Sequence, residues 1–320
     1  MHILRLSGSY YDVGFSCGRE LRAVGFTVPH ANSVDVRFAR DSMHEVRRTF
    51  PEVVDEIEGL GLGLKANYKD VMAMVLTNHV IHDDHSIAFA VGRDSASGKG
   101  SLLARNYNRH YKRVGHDMAI KASPKGALAS FASTDAPVVR QDGMNSAGLA
   151  VAGSTVPGGG VGLGISPTLA IRAVLDTCRD VDGALHLLSE MKHAREFSFL
   201  LTDRSGVIAL AEVGPGHFDK KTYDKGIVIA TNRFQIGNMW KGSADAATRH
   251  TRLKGLVGGI RSMSPEVAIS ALSDHKGMLC EHGKGSEFNT AWASVFSTRR
   301  GRIVRSDGHP CETERKEYSV

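Results

Sequence analysis

The sequence is poor in the residues that staple, kink or anchor a chain. Its 320 residues include only four cysteines, Cys17, Cys178, Cys280 and Cys311. They lie far apart with no CxxC spacing, which argues against a zinc ribbon or a disulfide framework and fits a reducing compartment; no metal site is expected. Nine prolines, none of them clustered, exclude a proline-rich linker. No stretch nears the ~18 apolar residues of a membrane helix, and the opening MHILRLSGSYY soon turns polar, so no membrane partner is expected. Charge of one sign is never concentrated: 40 Lys and Arg are scattered among 34 Asp and Glu, for a net charge of +6. That scatter argues against a nucleic-acid partner. No period of ~20–50 residues is present, which excludes a solenoid. A cytoplasmic location is expected.

What is present is an ordinary globular balance, 42% hydrophobic and 23% charged, long enough for one large domain or two. Thirty-five glycines exceed the usual share of ~7% and point to many strand turns. Residues 1–85 read mostly as helix. Gly8 to Val24 has apolar residues at helical spacing, Ser42 to Leu60 repeats it through Met43, Val46, Phe50, Val54 and Ile57, and Asp70 to Val80 follows. From Ser86 the pattern becomes short apolar strands: Ile87 to Gly92, Ser101 to Tyr107, Ala127 to Ser133 and Leu149 to Gly153. Ser166 and Pro167 open a helix, and a second runs from Asp182 to Met191. Strands at Phe197 to Thr202, Val207 to Val213 and Ile227 to Thr231 come next. Helices at Ala244 to Leu256 and Pro265 to Leu272 precede strands at Ala291 to Ser297 and Arg302 to Arg305. The order is that of an α+β fold with helix pairs covering sheets.

The segment Ser86 to Asn108 is the most informative. Ser86-Ile87-Ala88-Phe89-Ala90-Val91, a Gly/Ser/Lys turn, and Arg105-Asn106-Tyr107-Asn108 read as a hairpin that begins on a hydroxyl and carries Arg105 and Asn108 back towards it. By itself this reads as a structural hairpin with a surface serine. It resembles the nucleophile hairpin of the acyl-coenzyme A:6-aminopenicillanic acid acyltransferase family, relatives of the choloylglycine hydrolases in the N-terminal-nucleophile superfamily. That family reads Cys-Thr-Ser-Phe-Ala-Val, then Gly-Arg-Asn-Tyr-Asp-Trp, with the same spacing from nucleophile to arginine. Five further segments agree in order. They are Gly8-Ser9-Tyr10-Tyr11-Asp12-Val13-Gly14 with Gly18, Gly143-Met144-Asn145 through Gly148-Leu149-Ala150, Thr231-Asn232, Arg249-His250-Thr251-Arg252-Leu253, and Gly308-His309-Pro310-Cys311-Glu312.

The resemblance implies a four-layer αββα sandwich of two antiparallel sheets, one structural domain overall. Residues 1–85 would be a helical pro-segment or small subunit and residues 86–320 the catalytic core, released by autocleavage between His85 and Ser86. It also implies an amidohydrolase or acyltransferase that passes a linear N-acyl amide through an acyl-enzyme, without a cofactor. Homo-oligomerisation stays open. The implied roles are Ser86 as nucleophile, Arg105 beside it, Asn108 at its amine, Asn232 and Thr155 at the oxyanion, and Arg249 steadying the network.

Two departures stand out: serine replaces the usual cysteine, and Asn108 replaces an aspartate that bonds the α-amine. A hydroxyl is harder to deprotonate than a thiol, and a neutral amide leaves that amine, of unperturbed pKa about 7.7–8.0, more readily unprotonated as the base. The same two losses suit an uncleaved, non-catalytic binding protein, which is the second reading. A metal-dependent hydrolase on His79, His82, His85, Asp83 and Asp84 is the third, against which those residues form a polar linker. The glycines of 158–164 lack a phosphate-loop ending and read as a mobile substrate loop.

Overall fold

The computed structural model describes residues 3–77, 84–97, 100–112, 116–237, 242, 244–283 and 287–320. The chain opens with β1 (Ile3–Gly8) and four helices, α1 (Tyr10–Ala23), α2 (Ser33–Thr49), α3 (Glu52–Leu64) and α4 (Tyr68–Thr77). Six strands follow: β2 (Ile87–Val91), β3 (Leu102–His110), β4 (Met118–Pro124), β5 (Ser130–Thr134), β6 (Asp142–Asn145) and β7 (Ala150–Thr155). Next come α5 (Pro167–Thr177), α6 (Val181–Glu190), β8 (Phe197–Thr202), β9 (Ile208–Gly214), β10 (His217–Tyr223) and β11 (Ile227–Ala230). The chain ends with α7 (Ala244–Val257), α8 (Pro265–Leu272), β12 (Phe288–Ser297), β13 (Arg302–Ser306) and β14 (Arg315–Ser319).

These strands make an eight-stranded sheet ordered β1-β4-β5-β6-β7-β8-β9-β10 and a six-stranded sheet ordered β11-β2-β3-β12-β13-β14. Three apolar clusters show the layering. One joins α1 to α6 with the outer face of the larger sheet. A second joins α7 and α8 with the outer face of the smaller sheet. The third, which includes Ala88, Ala90, Leu103, Phe131, Leu200 and Phe296, lies between the sheets. Helices, sheet, sheet, helices: the four layers match the expected αββα sandwich. One detail differs, because β1 pairs with β4 in parallel, Ile3 facing Ala119, so the larger sheet is mixed.

Local chemistry explains most element ends. Ser9 caps α1, its hydroxyl accepting from Asp12 N while the Asp12 carboxylate accepts from Ser9 N, a reciprocal capping box. Ser166 caps α5 with Pro167 in the first turn, as the sequence predicts. The single helix expected from Ser42 to Leu60 is two, because Phe50 leaves helical geometry immediately before Pro51. The glycine loop 158–164, expected to be mobile, is tied to its neighbours: Gly162 N donates to Ala194 O and Val161 bridges to Arg195.

Two constraints hold the first helices on the rest. Where α1 crosses α3, the backbones almost touch: a Cβ on Gly14 would lie 2.0 Å from the Glu56 carbonyl oxygen, and one on Gly59 2.1 Å from that of Tyr11. Beside the crossing, buried Arg172 of α5 donates to both Glu56 oxygens, at 2.8 and 3.0 Å, and to Asp176 at 2.8 Å. Tyr10 of α1 donates to the same Asp176 carboxylate at 2.9 Å. Removing one partner would strand a buried charge, at a cost of about 3–5 kcal/mol.

The glycine crossing yields a paired test. Gly59→Ala forces the helices apart and should lower unfolding free energy by about 1–3 kcal/mol or more. Gly255→Ala, at an exposed position of α7 with open space around it, should leave stability unchanged or raise it by up to about 1 kcal/mol. Urea unfolding of both variants checks the opposite signs.

Candidate active site

The hairpin forms as the sequence predicts, β2 antiparallel to β3 with Ile87 facing Asn106 and Ala88 facing Arg105. Side chains alternate across it. Ile87, Phe89 and Val91 pack under α7 and α8, while Ala88 and Ala90 face the other sheet. Two residues before Ala88, Ser86 has the parity of the inner face. Arg105 shares that face, and its Nη2 donates to Ser86 Oγ at 2.9 Å. The Arg105 Nη1 donates to Gln141 O and lies 3.7 Å from Asp142 Oδ2, at the start of β6 in the opposite sheet. Trp292 Nε1 fixes that aspartate at 2.8 Å. Ser86, Arg105, Asn108, Asn232 and Arg249 are all 0% exposed.

A second set converges on the residues just before Ser86. Asp84 Oδ1 accepts from Ser86 N at 3.0 Å, and Asp84 N donates to Thr155 Oγ1 at 3.0 Å. Asn232, which follows β11, directs its Nδ2 at Asp84 O (2.7 Å), Asp84 Oδ1 (3.0 Å) and Thr155 O (2.8 Å). Arg249 of α7 donates through Nη2 to Asn232 Oδ1 at 2.7 Å, which orients the amide with its NH2 towards Asp84. Burial holds the Arg249 guanidinium below its usual range, opposed by the charges of Glu281, Asp84 and Asp245. Among the described residues, Arg249 Nε and Nη1 have no hydrogen-bond partner.

Five of the six expected site residues thus converge: Ser86, Arg105, Thr155, Asn232 and Arg249. Asn108 does not join them. It lies three positions after Arg105, and an odd separation on a strand reverses the face. Its Nδ2 donates to Leu279 O at 3.1 Å and Glu281 Oε2 at 3.0 Å, and its Oδ1 accepts from Thr290 Oγ1 at 2.8 Å. Only its backbone reaches the hairpin start, where Asn108 O accepts from His85 N at 2.9 Å. An aspartate here would set two carboxylates against each other, so Glu281 accounts for the neutral amide. Thr155 also differs from expectation, its hydroxyl accepting from Asp84 N.

The histidine cluster is only partly described: His79, His82 and Asp83 lie outside the described residues. His85 stacks on Phe288 with centroids 3.5 Å apart, its Nδ1 3.6 Å from Glu281 Oε2. Sequence reasoning misses four contributors. Asp84 falls within the histidine cluster, though an acid two residues before a hydroxyl is a usable signal. Gln141 with Asp142, and Glu281, come from distant segments and gave none. A cleft of about 340 Å³ opens between α2, α4 and residues 116–137, and Asp135 in its wall accepts from Tyr107 Oη at 2.9 Å.

A family model described as acyl-coenzyme A:6-aminopenicillanic acid acyl-transferase matches residues 95–310, a span that begins after Ser86 and takes in Arg105, Thr155, Asn232 and Arg249. No curated protein matches the sequence. Among solved structures, the chain is similar to a penicillin V acylase from Agrobacterium tumefaciens, at 18% identity over 75% of this chain and 80% of that one, with a TM-score of 0.47. It is also similar to a mutant conjugated bile acid hydrolase from Clostridium perfringens, at 14% identity over 73% and 97%, TM-score 0.49. A third is the Caenorhabditis elegans ortholog of N-acylethanolamine-hydrolyzing acid amidase, at 12% identity over 73% and 99%, TM-score 0.49. By the family match, which spans more than half of its length, the chain belongs to the acyl-coenzyme A:6-aminopenicillanic acid acyltransferase family.

Proposed function

We propose that the protein is an N-terminal-nucleophile amidohydrolase or acyltransferase that acts on N-acyl amides through an acyl-enzyme on Ser86, exposed by self-cleavage between His85 and Ser86. Membership of an amide-acting, acyl-transferring enzyme family supplies the reaction class. The observation that carries the residue assignment is the pair of contacts at one residue: Ser86 Oγ held by the Arg105 guanidinium, and Ser86 N held by the Asp84 carboxylate.

In the cleavage step, Ser86 Oγ attacks the His85 carbonyl carbon. The hydroxyl proton passes to the Ser86 nitrogen as the C–N bond breaks, and a carboxylate 3.0 Å from that nitrogen is placed to relay it. Water then hydrolyses the resulting ester, which leaves a carboxylate on His85 and a free amine on Ser86. That amine becomes the base for turnover. Ser86 Oγ attacks the substrate carbonyl, and the developing oxyanion takes the Asn232 amide donor that Asp84 occupies beforehand. Collapse expels the amine, with its proton returned by the Ser86 ammonium, and water or an acceptor amine releases the acyl group. The second reading, an uncleaved binding protein of the same fold, draws support from the complete burial of Ser86 in the intact chain.

Intact mass and N-terminal sequencing separate the two. An active preparation should contain two fragments, the larger starting at Ser86, and they should co-elute under native conditions because Glu56 and Tyr10 remain bound to Arg172 and Asp176. Finding only the full-length chain in a preparation that still turns over an N-acyl amide would overturn the processing step. Ser86→Ala should abolish cleavage and turnover, while Ser86→Cys keeps part of both.

Two further substitutions divide the machinery. Asp84→Asn should slow self-cleavage without affecting the kcat of material already processed. Asn232→Ala should lower kcat by about 10²–10³ in processed enzyme, the usual loss for one oxyanion donor. Single-turnover cleavage assays and steady-state kinetics read the two effects independently.

A further inference from the structure

On the outer side of the Asn108–Glu281 contact, four side chains converge from two distant segments. His275, Cys280 and His282 belong to the loop between α8 and β12, and Cys311 to the turn between β13 and β14. One donor atom from each lies within 4.8 Å of all the others. The separations are Cys280 Sγ to Cys311 Sγ 3.6 Å, His275 Nε2 to His282 Nε2 3.3 Å, Cys311 Sγ to His282 Nε2 3.3 Å and Cys280 Sγ to His282 Nε2 3.7 Å.

Those lengths are four of the six edges of a tetrahedron, and the two from His275 to the sulfurs lie within 4.8 Å. An ion bound at ~2.3 Å to sulfur and ~2.0–2.1 Å to nitrogen sets edges of roughly 3.8 Å for S···S, 3.4 Å for N···N and 3.5 Å for S···N. Each observed edge falls within roughly 0.3 Å of its ideal. The sulfurs are also far beyond the ~2.05 Å of a disulfide. Two thiolates with two imidazoles suit zinc above the oxygen-seeking cations. The surroundings agree. His282 would bind through Nε2, and its Nδ1 lies 3.7 Å from Glu312 Oε1, the carboxylate-histidine arrangement that orients a metal-bound ring. Glu312 is itself held by His309 Nδ1 at 2.7 Å, and the His309 ring stacks on His282 with centroids 3.9 Å apart.

We propose that His275, Cys280, His282 and Cys311 form a closed, structural zinc site that pins the loop carrying Glu281 against the outer face of β3. The wide spacing of the cysteines gives no zinc-ribbon signal in the sequence, yet the fold brings the donors together from two distant segments. Four protein ligands leave no open position, which assigns the ion to structure and not to substrate. Glu281 sits between two of the ligands. Its carboxylate receives Asn108 Nδ2, and Leu279 O just before it receives Asn106 Nδ2 at 2.9 Å. The ion thus acts on the hairpin through Asn106 and Asn108. Zinc binding stands independently of the Ser86 reading, and only an effect on self-cleavage rests on it.

The test uses the full chain, purified under reductant without chelator. Elemental analysis should find about one zinc per chain, removed by chelation and restored by one equivalent of zinc. Cobalt in its place should give the visible bands of a tetrahedral site with thiolate charge transfer in the near ultraviolet. Cys280→Ser combined with Cys311→Ser should abolish uptake, and Glu312→Ala should weaken zinc affinity about 10- to 100-fold at unchanged stoichiometry. Failure of the chelated wild-type protein to take up zinc or cobalt would overturn the site, as would full metal content in the double serine variant. A Cys280–Cys311 disulfide in protein kept reduced would do the same. Should the double variant fail to fold, the wild-type cobalt spectrum decides: no thiolate charge transfer, no site.

Discussion

A guanidinium buried completely between two sheets has to be paired, because an uncompensated charge there costs more than most folds can lose. Arg105 is in that position, and its partners define the centre of the molecule. One is the hydroxyl of Ser86, at the start of the strand next door. The others, Gln141 and Asp142, belong to the opposite sheet. The arginine therefore fastens the two sheets together at the point where it also fixes the hydroxyl. A substitution that disturbed the packing of β3 against β6 would move the Ser86 hydroxyl, and one at Ser86 would leave an arginine donor unsatisfied. Sheet docking and the placement of that hydroxyl share one side chain.

The two faces of β3 divide the remaining work. Inward, Arg105 and Tyr107 meet the polar interior, with Tyr107 stacked on Trp292 at 4.4 Å. Outward, Asn106 and Asn108 meet the end of α8 and the loop 274–283, where Leu272 O, Leu279 O and Glu281 accept from the two amide NH2 groups. The strand is thus held on both faces, by groups from the opposite sheet and the loop 274–283 together with Trp292 and Thr290 of its neighbour β12. Asn108 belongs to the outward set, which is why the idea that it tunes the Ser86 amine does not fit the geometry. The carboxylate that does reach Ser86 N is Asp84, from the chain immediately upstream.

What the sequence made legible follows from locality. The hairpin was readable because its apolar alternation, its turn and the spacing from Ser86 to Arg105 all lie within about two dozen residues. The helix starts at Ser9 and Ser166 were readable because a cap is a local hydrogen bond. Two of the missed strands have no apolar alternation to find: β10 reads His-Phe-Asp-Lys-Lys-Thr-Tyr and β14 Arg-Lys-Glu-Tyr-Ser, both at sheet edges where one or both faces meet water. The polar site was legible where a motif carried it, at Thr231-Asn232 and Arg249, and illegible at Glu281, whose partner Asn108 lies far away in sequence. Face parity was available all along: Arg105 and Asn108 are separated by an odd number, so a straight strand cannot turn both towards one hydroxyl.

The intact chain also engages the polar groups of the proposed site. Those groups are already met by the chain's own atoms. Asn232 is answered by the Asp84 carbonyl and carboxylate, the Thr155 hydroxyl by the Asp84 amide, and Arg105 by Ser86 and the opposite sheet. On the proposed reading, Asp84 and His85 would occupy the place of an acyl group, with a carbonyl on the Asn232 amide and a peptide nitrogen beside the carboxylate. The proposed break after His85 would change this balance in one step, because Asp84 would no longer be tethered to Ser86 and its contacts would become exchangeable for those of a ligand. Burial of Ser86 would then be a property of the uncleaved chain. The hydrogen bonds that satisfy buried polar groups in the intact chain would be the ones a substrate has to reproduce after the proposed cleavage.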